Sequence, residues 1–277
     1  MDNKTGKDLL QEKLPISKHA SKFITICVLQ LLLFVALLIL LFKITSFNWK
    51  LSIAGETLVS LFAILPYAYV TIKSNNLKEK YREKYGNLAF QKVWFRFLSY
   101  NEPLSAAGLF FPIILKTDYF LPKIIELPSN SFTKTMLPVY IALPLGMFFV
   151  ILGILLRRPT GGYDSDIGSY MYLIFPEDSR RLSKGLYSYI RHPSYAGRGV
   201  VAFGIGILAN NIIAIILAII HFLCFYILSK IEDYELIKRF GDEFKKFKKC
   251  VPAMIPKPNS WKKFLKIVFL GEKNKKN

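Results

Sequence analysis

At 277 residues, 52% hydrophobic and 15% aromatic, the chain is too apolar for an ordinary water-soluble domain and has the composition of a multi-span membrane protein. Its 38 Lys and Arg stand against 19 Asp and Glu, yet the cations crowd into residues 4–22, 73–96, 157–198 and 230–276, around and between apolar runs, which argues against nucleic acid as a partner. The cysteines (Cys27, Cys224, Cys250) and histidines (His19, His192, His221) have neither paired nor metal-ligand spacing, so neither a disulfide framework nor a metal site is expected.

Residues 1–21 form a basic N-terminal segment, of which 1–17 read as solvated and disordered. Residues 23–42 then run without a charge, enough at about 1.5 Å per residue to cross a hydrocarbon core of roughly 30 Å. This run exceeds the apolar core of a signal peptide, and no small-residue cleavage pattern follows it. Residues 51–72 make a second span despite Glu56 and Pro66. Residues 104–127, interrupted by Pro112, Lys116, Asp118 and Pro122, read as one broken span or as a shorter helix with an interfacial segment. Residues 136–156 carry Pro138 and Pro144, which membrane helices tolerate when neighbours satisfy the freed carbonyls. Residues 195–209 are short and contain Gly197, Gly199, Gly204 and Gly206. Asn210 and Asn211 make a turn, and 212–229 are apolar with only His221 as a possible charge. These last two segments predict a tight antiparallel hairpin, its glycines permitting close backbone approach. About six crossings in all place every basic stretch and both termini on the cytoplasmic side, where juxtamembrane lysines attract anionic lipid headgroups.

The chain divides into transmembrane helices over 22–156, a chemistry-bearing portion over 157–256 and a basic tail over 257–277. Within 157–256, Arg191-His192-Pro193 stands just before a helix, with Pro193 suited to its first turn and Tyr187, Tyr189 and Tyr195 nearby. These rings and hydroxyls suit stacking on a nucleobase and holding a cationic centre, or equally anchoring a helix at headgroup level. Glu232 and Asp233 point about 100° apart on a helix, so either one at most faces the Arg191 loop while the other meets solvent or a hydroxyl pair, or both are solvated charges at the start of an interfacial helix. Leu236, Ile237, Phe240, Phe244 and Phe247 recur at helical spacing among lysines, the pattern of an amphipathic helix lying along the membrane. Pro252 and Pro256 end that helix and turn an extended segment back over the site.

In their order and spacing these elements resemble the isoprenylcysteine carboxyl methyltransferase family and the related phospholipid methyltransferases. The matching pieces are Gly185 through Arg191-His192-Pro193-Ser194-Tyr195-Ala196-Gly197, the acid pair with Leu236, Phe240-Gly241, Glu243-Phe244, Lys248-Lys249, and Val251-Pro252 with Pro256. Two positions depart from the pattern: Asp233 replaces a second glutamate, and Leu228 stands where a basic residue is often found. The resemblance implies an all-α integral membrane protein of about six transmembrane helices, with a C-terminal helical hairpin and a cytoplasmic-face site for S-adenosylmethionine. It places Tyr189, Arg191, His192, Pro193, Tyr195, Gly197, Glu232 and Leu236 around that cofactor and gives Glu232 and Arg191 catalytic roles. The implied acceptor comes from the bilayer: a prenylated cysteine or similar lipid-linked acid, or else an ethanolamine-type phospholipid amine. Behind these stand an NADPH-dependent reductase of the sterol type, for which Ser194 and Arg198 replace the expected Asn and acid, and a non-enzymatic membrane scaffold.

Overall fold

The computed structural model describes residues 6–45, 49–101, 103–105, 135–158, 166–179 and 182–271. Among them every regular element is a helix: α1 (Gly6–Lys13), α2 (Ala20–Thr45), α3 (Trp49–Ile72), α4 (Ser74–Tyr85), α5 (Ala89–Val93, continuing as a π-helical turn, Trp94–Leu98), α6 (Val139–Leu156), α7 (Asp166–Ile174), α8 (Pro193–Ala209), α9 (Ile212–Cys250) and α10 (Trp261–Leu270). Three of these are long and apolar enough to cross a bilayer, over Ile53–Ile72, Val139–Leu156 and Ile212–Cys250, and α2 adds the shorter apolar stretch Ser21–Leu37. Leu29, Leu32 and Leu33 of α2, Phe62 and Leu65 of α3, Phe148 and Ile151 of α6 and Leu223 and Ile227 of α9 are exposed, the lipid-facing band of an integral membrane protein.

The described residues thus give three spanning helices where the sequence predicts about six crossings. Helix α8 is only 17 residues long and is buried on nearly all sides by protein, so it faces neighbours more than lipid. The predicted broken span over 104–127 lies, apart from residues 104 and 105, outside the described residues.

Helix α8 lies between α6 and α9, and α3 packs on another face of α9. Two glycine pairs, each spaced by two helical turns, make the α6–α8 contact: Gly146 and Gly153 on α6 meet Gly204 and Gly197 on α8. A methyl group on Gly153 would stand 2.6 Å from the Gly197 carbonyl oxygen, and one on Gly197 would stand 2.6 Å from that of Gly153. Without a hydrophobic driving force inside lipid, such backbone contact is what holds helices together. Gly199 and Gly206 lie against Phe222 and the Ala214 carbonyl of α9, so α8 turns one glycine pair to each neighbour.

The turn between α8 and α9 depends on two asparagines. Asn210 adopts the left-handed conformation (φ 55°, ψ 39°) that Asn tolerates, and its side-chain amide accepts from Leu137 N (2.9 Å) and donates to Leu137 O (2.7 Å), fixing the entry to α6. Asn211 caps α9 by accepting from Ala214 N at 2.9 Å. Helix α9 breaks at Gly241, whose φ of 60° and ψ of −135° suit only glycine.

Both ends of the chain depart from expectation. Of the segment predicted to be solvated, Leu14 is fully buried, and Lys13 donates to Asn87 Oδ1 (2.9 Å) and lies over the Phe175 ring. Within the expected basic tail, Trp261–Leu270 is a helix that buries Phe264 and Val268 in the same core. Phe264 and Val268 are four residues apart and share one face, a spacing hidden among lysines. Residues 272–277 of that tail lie outside the described residues.

Candidate active site

The loop before α8 starts in a tight 3-10 turn, Gly185–Ser188, entered through Gly185 at φ 60°. Arg191 and His192 follow, their amides donating to Pro252 O and Ala253 O at 2.9 Å each. The chain after α9 is thereby tied to the loop, as the prolines there predict. The Arg191 guanidinium donates twice to Asp233, from Nε to Oδ1 (3.1 Å) and from Nη2 to Oδ2 (2.6 Å), and Nη1 donates to the Lys248 carbonyl (3.2 Å) and to that of Val251. A helix end leaves carbonyls without intrahelical partners, and here a distant arginine satisfies them. Asp233, fully buried, also meets His192 Nε2 (2.9 Å) and lies 3.4 Å from Lys248 Nζ.

Glu232 points the other way, as adjacent helical positions must. Its carboxylate is 3.5 Å from His192 Nδ1, and the side chain is 25% exposed. Burial disfavours the charged imidazole of His192, but the hydrogen bond to Asp233 and the contact with Glu232 outweigh that cost and raise its pKa above the usual value.

The His192 ring stacks on Tyr195 one turn along (5.6 Å, 8°), the Tyr195 hydroxyl meets that of Tyr170 on α7 at 3.0 Å, and Tyr170 stacks on Tyr67 of α3 (4.5 Å, 19°). This ladder of rings walls a cavity enclosing about 1240 Å³, its open mouth included. Phe240, Phe244 and Phe247 line the opposite wall with Leu236, and Arg157, Arg158 and Arg198 add cationic groups. Arg198 is buried, donates to Ser105 Oγ (3.1 Å) and lies over the Phe225 ring. Arg239 also lines the cavity but is held by Glu235 at 2.6 and 2.9 Å.

Of the residues singled out from the sequence, Arg191, His192, Pro193, Tyr195, Glu232 and Leu236 converge on this cavity. Two do not. Tyr189 turns away and packs edge-on against Phe264 of α10 (6.1 Å, 61°), while Gly197 is used up in the contact with α6. The stripe predicted to lie along the membrane also departs from expectation: Leu236, Phe240, Phe244 and Phe247 face the cavity. Tyr67 and Tyr170 were not legible, because neither belongs to a motif and each is brought in by a separate helix.

The stretch that builds most of this cavity has known counterparts. Residues 141–243, from the start of α6 to just past the break in α9, match the phospholipid methyltransferase family model. Over 81 residues the chain is 32% identical to a Schizosaccharomyces pombe protein named protein-S-isoprenylcysteine O-methyltransferase. Over this stretch the chain is similar to these methyltransferases. The match covers 29% of this chain and 34% of the yeast protein, so the likeness spans about a third of that relative's length. No solved structure matches the chain. The methyltransferase-like stretch includes the α6–α8 glycine contact, Arg191, His192, Tyr195 and the acid pair, whereas Tyr67, Phe244 and Phe247 lie outside it.

Proposed function

We propose that this protein is a membrane methyltransferase that uses S-adenosylmethionine and acts on an acidic group of a lipid-linked acceptor, most concretely the carboxylate of a prenylated cysteine. The observation that carries the reading is the cavity of the methyltransferase-like stretch, where one carboxylate, Glu232, stands beside stacked rings while its neighbour Asp233 is committed to holding the loop. The residues present fit the cofactor. Ring faces from Tyr195, Phe240 and Phe244 suit an adenine and a cationic centre, and Glu232 suits ribose hydroxyls or a positive charge. The cofactor supplies a methyl group on a positively charged sulfur.

The chain's own part is to align two reactants and exclude water, work that suits a ring-lined cavity. Arg191 and Asp233 hold the loop and α9 in register, so that His192 and Glu232 meet at one point. A carboxylate acceptor needs no base. Arg157, Arg158 and Arg198 on the cavity wall favour an acid over an amine. The basic stretches flanking the apolar helices support a cavity mouth on the cytoplasmic side. The family model's own description favours a second reading, methylation of a phospholipid amine, in which Glu232 would take the proton the amine must lose.

Calorimetry on the detergent-purified protein tests this. Saturable binding of S-adenosylmethionine, weakened at least 10-fold in Glu232→Ala, is expected. Binding of NADPH, or of neither ligand, would sink the reading. A farnesylated cysteine turned over in preference to phosphatidylethanolamine would decide the acceptor.

A further inference from the structure

A second cleft lies at the end of α3, away from the cavity. On α3, Tyr67 and Thr71 face the cavity, whereas Tyr69, two residues from each, and Lys73 just beyond the helix face the second cleft, which encloses about 710 Å³ with its mouth. Lys73, Asn76 and Lys80 come from the α3–α4 junction and one face of α4, and Arg96 comes from the π-helical turn after α5. All four are exposed, and Arg96 lies over the ring of Phe97. The floor is aromatic: Tyr69 and Tyr81 both pack on Phe97, at 5.4 and 6.5 Å.

The positive-inside rule accounts for cations near this membrane face but not for their convergence. Two separate segments bring three like charges to one cleft, which costs electrostatic energy unless an anion joins them. Acids are at hand but turned elsewhere: Glu79 and Glu83 sit on α4 without lining the cleft, and Glu177 is taken by Arg82 at 2.7 Å. Immediately on the membrane side, Leu65, Tyr69 and Ile72 are exposed at 53%, 47% and 60%, continuing the lipid-facing band. An apolar strip leading into a basic, ring-floored cleft matches a molecule with acyl chains on one side and a negative headgroup on the other.

We infer that this cleft is a binding site for an anionic phospholipid, its phosphate held among Lys73, Lys80 and Arg96 and its acyl chains laid along Leu65 and Ile72. The test uses the full chain in phosphatidylcholine-containing detergent micelles, following the thermal unfolding midpoint as phosphatidylglycerol is titrated in. A saturable rise is expected. In Lys73→Gln/Lys80→Gln/Arg96→Gln the phosphatidylglycerol needed should increase on the order of 100-fold, each lost cation near the surface weakening anionic-lipid binding about fivefold. A control with equal charge loss, Lys245→Gln/Lys246→Gln/Lys249→Gln, should keep the wild-type curve. Equal loss in the control, or a wild-type curve in the first variant, would overturn the site. Inorganic phosphate or glycerol phosphate raising the midpoint as phosphatidylglycerol does would overturn the lipid assignment. Because the three cations are exposed, the first variant should fold. Lys73→Glu alone should already shift the curve further than Lys73→Gln.

Discussion

At the scale of single residues, the two adjacent acids divide their labour. Asp233 has no exposed surface and satisfies Arg191, His192 and, more loosely, Lys248, which makes it a structural clamp. Removing one partner of a buried ion pair leaves the other charge uncompensated, so Asp233→Asn should cost about 3 to 5 kcal/mol, read as a lower denaturation midpoint in detergent. Glu232→Gln, at the edge of the cavity, should cost far less stability while weakening cofactor binding. His192 gives a pH signature. With a folded pKa above its unfolded value of about 6.5, protonated His192 stabilises the protein fully below that pH, and the contribution disappears as the pH rises through the raised value. The unfolding midpoint should therefore fall as the pH rises above about 6.5, and this limb should be absent in His192→Asn. A limb of equal size in the variant would mean that another group is responsible. The resemblance singled out Glu232 as the acid of the site; that Asp233 would be the buried clamp was not legible, because a 100° difference on a helix has no direction until its neighbours are placed.

At the scale of elements, the glycines of α8 were read correctly as sites of close approach but to only one neighbour. Gly199 and Gly206 do meet α9, as a hairpin requires, while Gly197 and Gly204 meet α6, a helix about 40 residues earlier in the chain. Gly153→Val should push α6 from α8 and cost about 1 to 3 kcal/mol, the usual range for overpacking. Gly241→Ala has open space around it, so its cost of about 1 to 3 kcal/mol should come from the backbone conformation alone. An unchanged unfolding midpoint in Gly153→Val would argue that the α6–α8 contact is not as tight as described. The helix after Glu232 teaches a related lesson. An apolar stripe at 3.6-residue spacing shows that something covers it, and both a membrane and a cavity satisfy that demand. Phe244→Ala should therefore weaken cofactor binding by roughly 5-fold, a stacking contact being worth about 1 kcal/mol, whereas replacing two of Lys245, Lys246 and Lys249 by Gln should leave that binding unchanged.

At the scale of the whole molecule, the cavity is assembled from pieces distant in sequence: α3 brings Tyr67, α7 Tyr170, α8 Tyr195 and α9 Glu232. The ends of the chain brace this assembly, through Leu14 after α1 and through Phe264 and Val268 on α10. Leu14→Ala should cost about 2 to 5 kcal/mol if the N-terminal segment is packed as described, and an unchanged unfolding midpoint would return that segment to solvent. The sequence by itself determined that the protein belongs in a membrane, that its elements are helices and where the α8–α9 turn falls, and it pointed to the residues around Arg191 and Glu232 as a candidate site. Each of these follows from local properties: uninterrupted apolar length, periodicity, the left-handed preference of Asn, and a short motif. Only the tertiary structure decided which face of each helix meets protein and which meets lipid, which acid is buried, and that Tyr67 and Tyr170 complete the wall. Those outcomes rest on contacts between segments far apart in the chain, and within a uniformly apolar helix no residue pattern marks one face as different from another.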